Sequence, residues 1–539
     1  MKKRVISIML IGTMLLGCLS GCKAEKEDKP VSGEKVSLTV GIPQSEAVKD
    51  YDDNAFTKYI EESLNMEINF EYFASGASEY TQQLTFMCAG EEKLPDVLIG
   101  FNGLERLTAN QFGEDGYFLD LTDLIEKYGT NFKKQLDKLD KKDRQVVMDR
   151  GTNTNNGAFY GMPLYASMDT PDDMQNMIVI NKTWLDAVGM QAPTNIDELY
   201  QVLKAFKEQD PNKNGKNDEI PMYSYGYDGG LIWYYIMNAF VYYDGENPFN
   251  VTDGKVWDPM ITDEFRQGLV YINKLVKEGL LSELSLTSNG SEQKTMVTPT
   301  DGVAKVGIWC GHPQLVTNSG SDILDEYIAL APLQDETGKG GYGVQRPRTL
   351  LYANFITKDC ENTEAAMRLL DFLYNDETTT RARHGEKDVD WTVGEGTSSL
   401  GTPSTIKIIN PDAGVNDSQK WQVNVGVMTN ENYIAISDEE GYWGAVSRLL
   451  GEMMDVMKGF RKPEEVAVEL VYTASEYDER SKINATAASY RGETINLFIL
   501  GEKNPSNDSE WNEFLETLEE YGQSKLVDIC QSAYDRQSK

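Results

Sequence analysis

Between Val36 and Gly100 the chain keeps switching period, and that rhythm restricts the fold more than any other stretch. Val36–Ile42 alternates and is β-branched, as a strand is. Phe56–Leu64 reads as a helix, Met66–Tyr72 (MEINFEY) alternates again, and Gln82–Ala89 offers a second helix. Leu94–Gly100 (LPDVLIG) then reads as a turn entering a buried strand. Strands separated by helices must cross over to pair, so β-α-β-α-β predicts a largely parallel sheet, an α/β lobe. Asp96 sits in the turn; turn chemistry and a ligand contact are both open to it.

Tyr160–Pro221 carries a second set of signals. Met177–Asn181 is a short apolar run that suggests a buried strand. Thr194 is the expected cap of a helix in which Ile196, Leu199, Leu203 and Phe206 recur at spacings of three and four. Next comes the polar loop Asp210–Glu219 (DPNKNGKNDE). Asp210, Asn212, Asn214 and Asp218 stand at positions 1, 3, 5 and 9 of an EF-hand count, with Gly215 at 6 and Lys216 at 7. Calcium takes about six to eight oxygens, which suits this spacing. Position 12 is Pro221 rather than glutamate, and Glu219 at position 10 is the nearest substitute. Spacing alone leaves two readings: a calcium loop, or an Asx-rich surface turn.

The amino terminus is an address. Lys2, Lys3 and Arg4 precede an apolar run, Val5–Leu19, so residues 1–21 read as a secretory signal peptide. The run is too short for a comfortable membrane span. Leu19-Ser20-Gly21-Cys22 matches the bacterial lipobox, in which cleavage falls before the cysteine and its thiol takes a diacylglycerol. An uncleaved anchor is the alternative. Residues 22–34 are polar, charged and free of aromatics, and read as a lipid-anchored tether. The formal charge is −35, and −38 once Lys2, Lys3 and Arg4 are removed with the leader, a surface that repels nucleic acid.

Little points to chemistry. Cys88, Cys310, Cys360 and Cys530 are far apart and lack metal-ligand spacing; they read as buried thiols or as an unassignable disulfide. His312 and His384 are the two histidines. Gly338–Gly343 fits G-x-G-x-x-G, but Pro347 follows where a nucleotide fold needs a helix.

Taken together, the lipobox, Tyr160–Pro221 and Thr363–Trp391 resemble the extracellular solute-binding proteins of ABC importers, family 1. The likeness is greatest to the long carbohydrate-binding lipoproteins of Gram-positive bacteria, and it runs from about Val36 to Arg536. Tyr160-Gly161-Met162-Pro163 is similar to the family's YGIP crossing between lobes. Gly302–His312 (GVAKVGIWCGH) resembles the segment with a small-residue strand and then a tryptophan, Trp309 here. Ile328–Leu333 and the turn Asp335–Gly341 resemble a hairpin that returns to the first lobe. Gly385–Trp391 resembles a YGxEGxxW segment, although His384 replaces the tyrosine and the second glycine is absent. Tyr442-Trp443 is similar to an aromatic pair that meets sugar, and Trp511–Tyr534 to a closing helix.

The resemblance implies a two-lobed periplasmic-binding-protein-like α/β fold with a hinge and an inter-lobe cleft. It places lobe 1 at 35–165 plus 325–389 and lobe 2 at 166–324 plus 390–539. It implies ligand contacts from Trp309, Trp443, Tyr442 and Trp391; Trp233, in an aromatic-rich helical stretch, is open to a core or a ligand role. It implies structural calcium held by Asp210, Asn212, Asn214, the Lys216 carbonyl, Asp218 and Glu219. The function implied is a monomeric, non-catalytic receptor, anchored at Cys22 on the outer face of the cell membrane. It would capture a carbohydrate and pass it to a permease. A surface-anchored glycoside hydrolase or lyase, and a receptor for peptides or other solutes, are the competing readings.

Overall fold

The computed structural model describes residues 35–537 except 46–47, 154, 167–177, 225–230, 244, 246–248, 319–320, 345–349, 398–402, 411–419, 422–425, 429–434, 437–440 and 461–469. Cys22 and the tether lie outside the described residues. The β-α-β-α-β expectation is met. Val36–Pro43 pairs in parallel with Met66–Phe73 on one side and with Val97–Ile99 on the other. Leu350–Ile356 runs antiparallel between Val97–Ile99 and Met162–Ala166, and Val427–Met428 closes the six-stranded sheet. Leu38, Val40 and Ile42 are buried on one strand with Val97, Leu98 and Ile99 on the next. Helices Ala55–Leu64, Ala77–Ala89 and Thr363–Phe372 cover that sheet with Phe56, Ile60, Leu84, Leu369 and Leu370. Asn54 caps the first of them by accepting from Phe56 N at 3.0 Å. Asp96 is turn chemistry, because its Oδ2 accepts from Thr39 N at 2.8 Å and its carbonyl from Thr357 N.

A second core forms around a four-stranded sheet in the order Tyr327–Ala329, Ile178–Asn181, Val306–Cys310, Ile220–Tyr223. Helix Ile196–Glu208 packs Leu199, Val202, Leu203 and Phe206 into it. Its cap is Asn195, whose side chain accepts from Glu198 N at 2.9 Å. Thr194, the expected cap, sits one residue earlier, and both its N and its hydroxyl donate to Glu198 Oε2 at 2.8 Å. The carboxy-terminal helices join this second core through Ile495, Phe498, Trp511 and Phe514. The stretch expected as one closing helix is two, Asp508–Glu520 and Gln523–Gln537. Gly522, at φ 99°, makes the break.

The crossings between the cores fall elsewhere than expected. Tyr327–Ala329 pairs with Ile178–Asn181, and Leu330, Leu333 and Val344 are buried in the second core. The second core therefore keeps the chain past 325 to at least Val344, and Leu350–Ile356 is already in the large sheet. Later, Trp421 is buried in the first core and donates from Nε1 to Thr57 Oγ1 at 2.7 Å. Val427–Met428 also pairs with Met162–Ala166, so Trp421 and Val427–Met428, beyond 390, belong to the first lobe. A small separate sheet is formed by Trp391–Thr397, Pro403–Ile408 and Ala435–Ile436.

Cys88, Cys310, Cys360 and Cys530 are buried free thiols. Gly338 ends a turn, 336–338, closed by Asp335 Oδ1, which accepts from Thr337 N at 2.8 Å and from Lys339 N at 2.9 Å. No helix among the described residues is long and apolar enough to cross a membrane.

Candidate functional site

The expected aromatic contacts are placed first by their strands and helices. Trp309 lies on the strand Val306–Cys310, paired with Val179 on one side and Tyr223 on the other. Its exposure is 0%. The indole meets Tyr327 edge-on at 5.5 Å, and its Nε1 is buried without an acceptor. That is a core tryptophan, which corrects the expectation, implied by the resemblance, that Trp309 contacts the ligand. Trp233 is likewise buried, between Tyr234 at 4.4 Å and Tyr243 at 5.5 Å. Tyr442 is buried, with its hydroxyl 3.1 Å from that of Thr317. Trp391 is buried and donates from Nε1 to Gly385 O at 2.9 Å. These four rings fill space inside the protein. The side chain of Trp443, on helix Gly441–Lys458, lies outside the described residues.

The polar loop after helix Ile196–Glu208 is wound by three residues at positive φ, Asp210 at 47°, Lys213 at 56° and Gly215 at 74°. Asp210 accepts from Asn214 N at 3.1 Å and Gly215 N at 3.2 Å. Asn214 Oδ1 accepts from Lys216 N at 2.8 Å, and Asn214 Nδ2 donates to Asp218 Oδ1 at 2.9 Å. Lys305 Nζ lies 3.8 Å from Asp218 Oδ2. One group is left over: Glu219 Oε1 is buried and has no donor. Burial pushes the Glu219 carboxyl above the usual range, and the charges of Asp210 and Asp218 push it further. No three His, Cys, Asp or Glu side chains among the described residues converge closely enough to hold a metal ion. A donor set of this loop would instead mix Asp210, Asp218 and Glu219 with the Asn212 and Asn214 carboxamides and the Lys216 carbonyl. Oxygen donors of this kind suit a hard cation, and the buried, donorless Glu219 Oε1 is a carboxylate oxygen left for one. The residues present therefore fit calcium by their chemistry.

The two cores meet at a rim. Val36–Pro43, Met66–Phe73 and Val97–Ile99 run the same way, so the loops after them gather at one edge of the large sheet. Ligands of open α/β sheets bind outside such carboxyl ends. From the other core, Tyr477 on helix Ala474–Leu500 reaches across and donates its hydroxyl to Glu105. Glu105 directly precedes helix Arg106–Glu114. In the same segment of chain, Asn102 Oδ1 and Asn110 Oδ1 are buried without a donor. Sequence reasoning missed Asn102, Glu105 and Tyr477. Nothing local marks them, because their place depends on which strands run parallel and on where a distant helix packs.

Two α/β cores joined by crossing strands, with a rim between them, define a two-lobed ligand-binding protein. Residues 49–380 match the model of the family described as bacterial extracellular solute-binding protein, and the chain belongs to that family. It is 24% identical to the fructooligosaccharide ABC transporter substrate-binding protein FusA of Streptococcus pneumoniae serotype 4 (strain ATCC BAA-334 / TIGR4), over 97% of this chain and 96% of that protein. It is 25% identical to lipoprotein LipO of Bacillus subtilis (strain 168), over 52% of this chain and 51% of that one. Two solved structures of FusA share the fold, each with a TM-score of 0.73 and each covering 93% of this chain and 99% of the other. One, at 22% identity, is a complex with kestose; the other, at 20%, is an EF-hand mutant in complex with fructo-nystose.

Proposed function

We infer that this chain is the ligand-capturing component of an ABC importer and that its ligand is an oligosaccharide. The observation that carries the reading is a pair of separate α/β cores meeting at a rim, in a chain that aligns over 97% of its length with a fructooligosaccharide-binding transporter protein. Such lobes close on a solute by a hinge and open again for a permease. On this reading no bond in the solute is made or broken, and the chain acts as a receptor rather than a glycosidase; membership of a solute-binding family supports it. The experiment is an oligosaccharide panel read by melting temperature and by recovery of the sugar. A stabilising sugar recovered intact supports the receptor; cleavage of the sugar rejects it.

The chain is held outside the cell by a lipid on Cys22. The basic start, the short apolar run and Leu19-Ser20-Gly21-Cys22 support that anchor, and the relative LipO is a lipoprotein. Two acyl chains hold a protein on a membrane where one is marginal.

Asp210–Glu219 holds a structural calcium ion. The orphaned Glu219 Oε1 supports this, as does the EF-hand of FusA. When bound, the ion supplies positive charge that pins the loop after a long helix. The carboxylates of Asp210, Asp218 and Glu219 would offset its charge, and Gly215, at φ 74°, lets the loop turn. Chelation in metal-free buffer is expected to lower the melting temperature, and Asp210→Ala to abolish that sensitivity. An ion present at about a hundred times its Kd contributes about 2.7 kcal/mol. An unchanged melting curve, in protein shown by elemental analysis to be free of calcium, returns the loop to an Asx-rich turn.

A further inference from the structure

Four of the aromatic rings singled out by sequence are buried, three of them (Trp233, Trp309 and Tyr442) in the second core, so a sugar needs another platform. Tyr72 is the penultimate residue of the strand Met66–Phe73, at the edge of the large sheet where the parallel strands end. It is 41% exposed. Its ring is propped rather than loose. Phe70 stacks behind it at 6.3 Å with the planes 10° apart, and Tyr51 leans on it at 5.5 Å. Phe70 meets Trp421 edge-on at 5.5 Å, and Trp421 meets Phe56 at 5.0 Å. A row of rings thus runs from the core to the surface and ends in a phenol open to solvent. Tyr51, which leans on that phenol, stands between Asp50 and Asp52 in the turn after Val36–Pro43. The two carboxylate charges add to burial in raising the pKa of Tyr72. Asp50 Oδ1 fixes the turn by accepting from Asp52 N at 2.9 Å and Asp53 N at 3.1 Å.

We propose that Tyr72 is a stacking platform for an outlying ring of the bound oligosaccharide, with Asp50 and Asp52 accepting hydrogen bonds from that ring's hydroxyls. The inference rests on the carbohydrate reading above and adds a subsite to it. A pyranose or furanose ring has an apolar face and a rim of hydroxyls, so it is matched by an exposed aromatic face flanked by carboxylates. The position also sets which ligands use it. Met66–Phe73 is separated from the crossing strand Leu350–Ile356 by two strands, Val36–Pro43 and Val97–Ile99. At about 4.8 Å per strand, Tyr72 lies roughly 14 Å from the crossing strands. A ligand centred there reaches the ring only when it is several units long. Tyr72 therefore selects for chain length.

The test is calorimetric titration of the wild type, Tyr72→Ala, Tyr72→Phe and Asp52→Ala with fructo-, galacto-, xylo- and manno-oligosaccharides of two to six units. Tyr72→Ala is expected to weaken the longest bound member at least about tenfold, or about 1.4 kcal/mol. Its disaccharide affinity and melting temperature should stay close to those of wild type. Tyr72→Phe keeps the stacking face and is expected to bind within about threefold of wild type, while Asp52→Ala weakens the long member. Wild-type affinity of Tyr72→Ala at every length, or the same loss for short and long members, overturns the proposal while leaving the receptor reading intact. Failure of the wild type to bind any member overturns both.

Discussion

Trp309→Ala is expected to destabilise the protein by about 3–5 kcal/mol, the cost of removing a large aromatic side chain from a well-packed core. The ring has no exposed surface, and the strand that carries it is paired on both sides, so the structure cannot collapse inward without moving Ile178–Asn181 or Ile220–Tyr223. Tyr327 would lose its edge-on partner, and its hydroxyl, which donates to Val306 O at 2.5 Å, would face the new cavity. Trp309→Phe keeps an aromatic ring against Tyr327 and should recover part of the loss. Denaturant melts of the two variants decide it. A Trp309→Ala protein as stable as wild type, but with weakened sugar binding, would restore the platform role rejected above.

Cys22→Ala is expected to change location completely and stability hardly at all. Residues 22–34 are polar and charged in sequence and carry no apolar run, so on the proposed reading the diacylglycerol alone would hold the chain. Without the thiol no diacylglycerol is attached, and a chain cut from its leader should leave the membrane for the aqueous phase of a detergent partition. A processed Cys22→Ala chain that stays with membranes contradicts the lipid anchor.

The elements were more legible than their assignment to one lobe or the other. Val36–Ile42, Phe56–Leu64, Met66–Tyr72 and Met177–Asn181 lie within a residue or so of the observed elements, because periodicity and caps are local. The crossings were not legible. Tyr327–Ala329 and Val427–Met428 are short strands whose lobe is decided by a distant partner, and residues on either side of a crossing look alike. The tryptophans misled for a related reason. A strand buried on both faces reads as an unbroken apolar run, so Gly307-Ile308-Trp309-Cys310 gives no sign of which end is wet. Tyr72 was passed over because MEINFEY alternates as any half-buried strand does. Only the end of the sheet leaves its last ring in solvent. The polar loop was read from spacing, and the structure adds what spacing cannot supply, the buried and donorless Glu219 Oε1.

The central claim is capture without chemistry, and the most direct measurement is a thermal-shift and product analysis of the soluble chain from Lys23 onward against an oligosaccharide panel. One class of sugar is expected to raise the melting temperature saturably, by the equivalent of about 2.7 kcal/mol at a hundred times Kd. That sugar should titrate at one per chain and be recovered intact after prolonged incubation. New reducing ends appearing with time, or no shift from any member of the panel, would contradict the account.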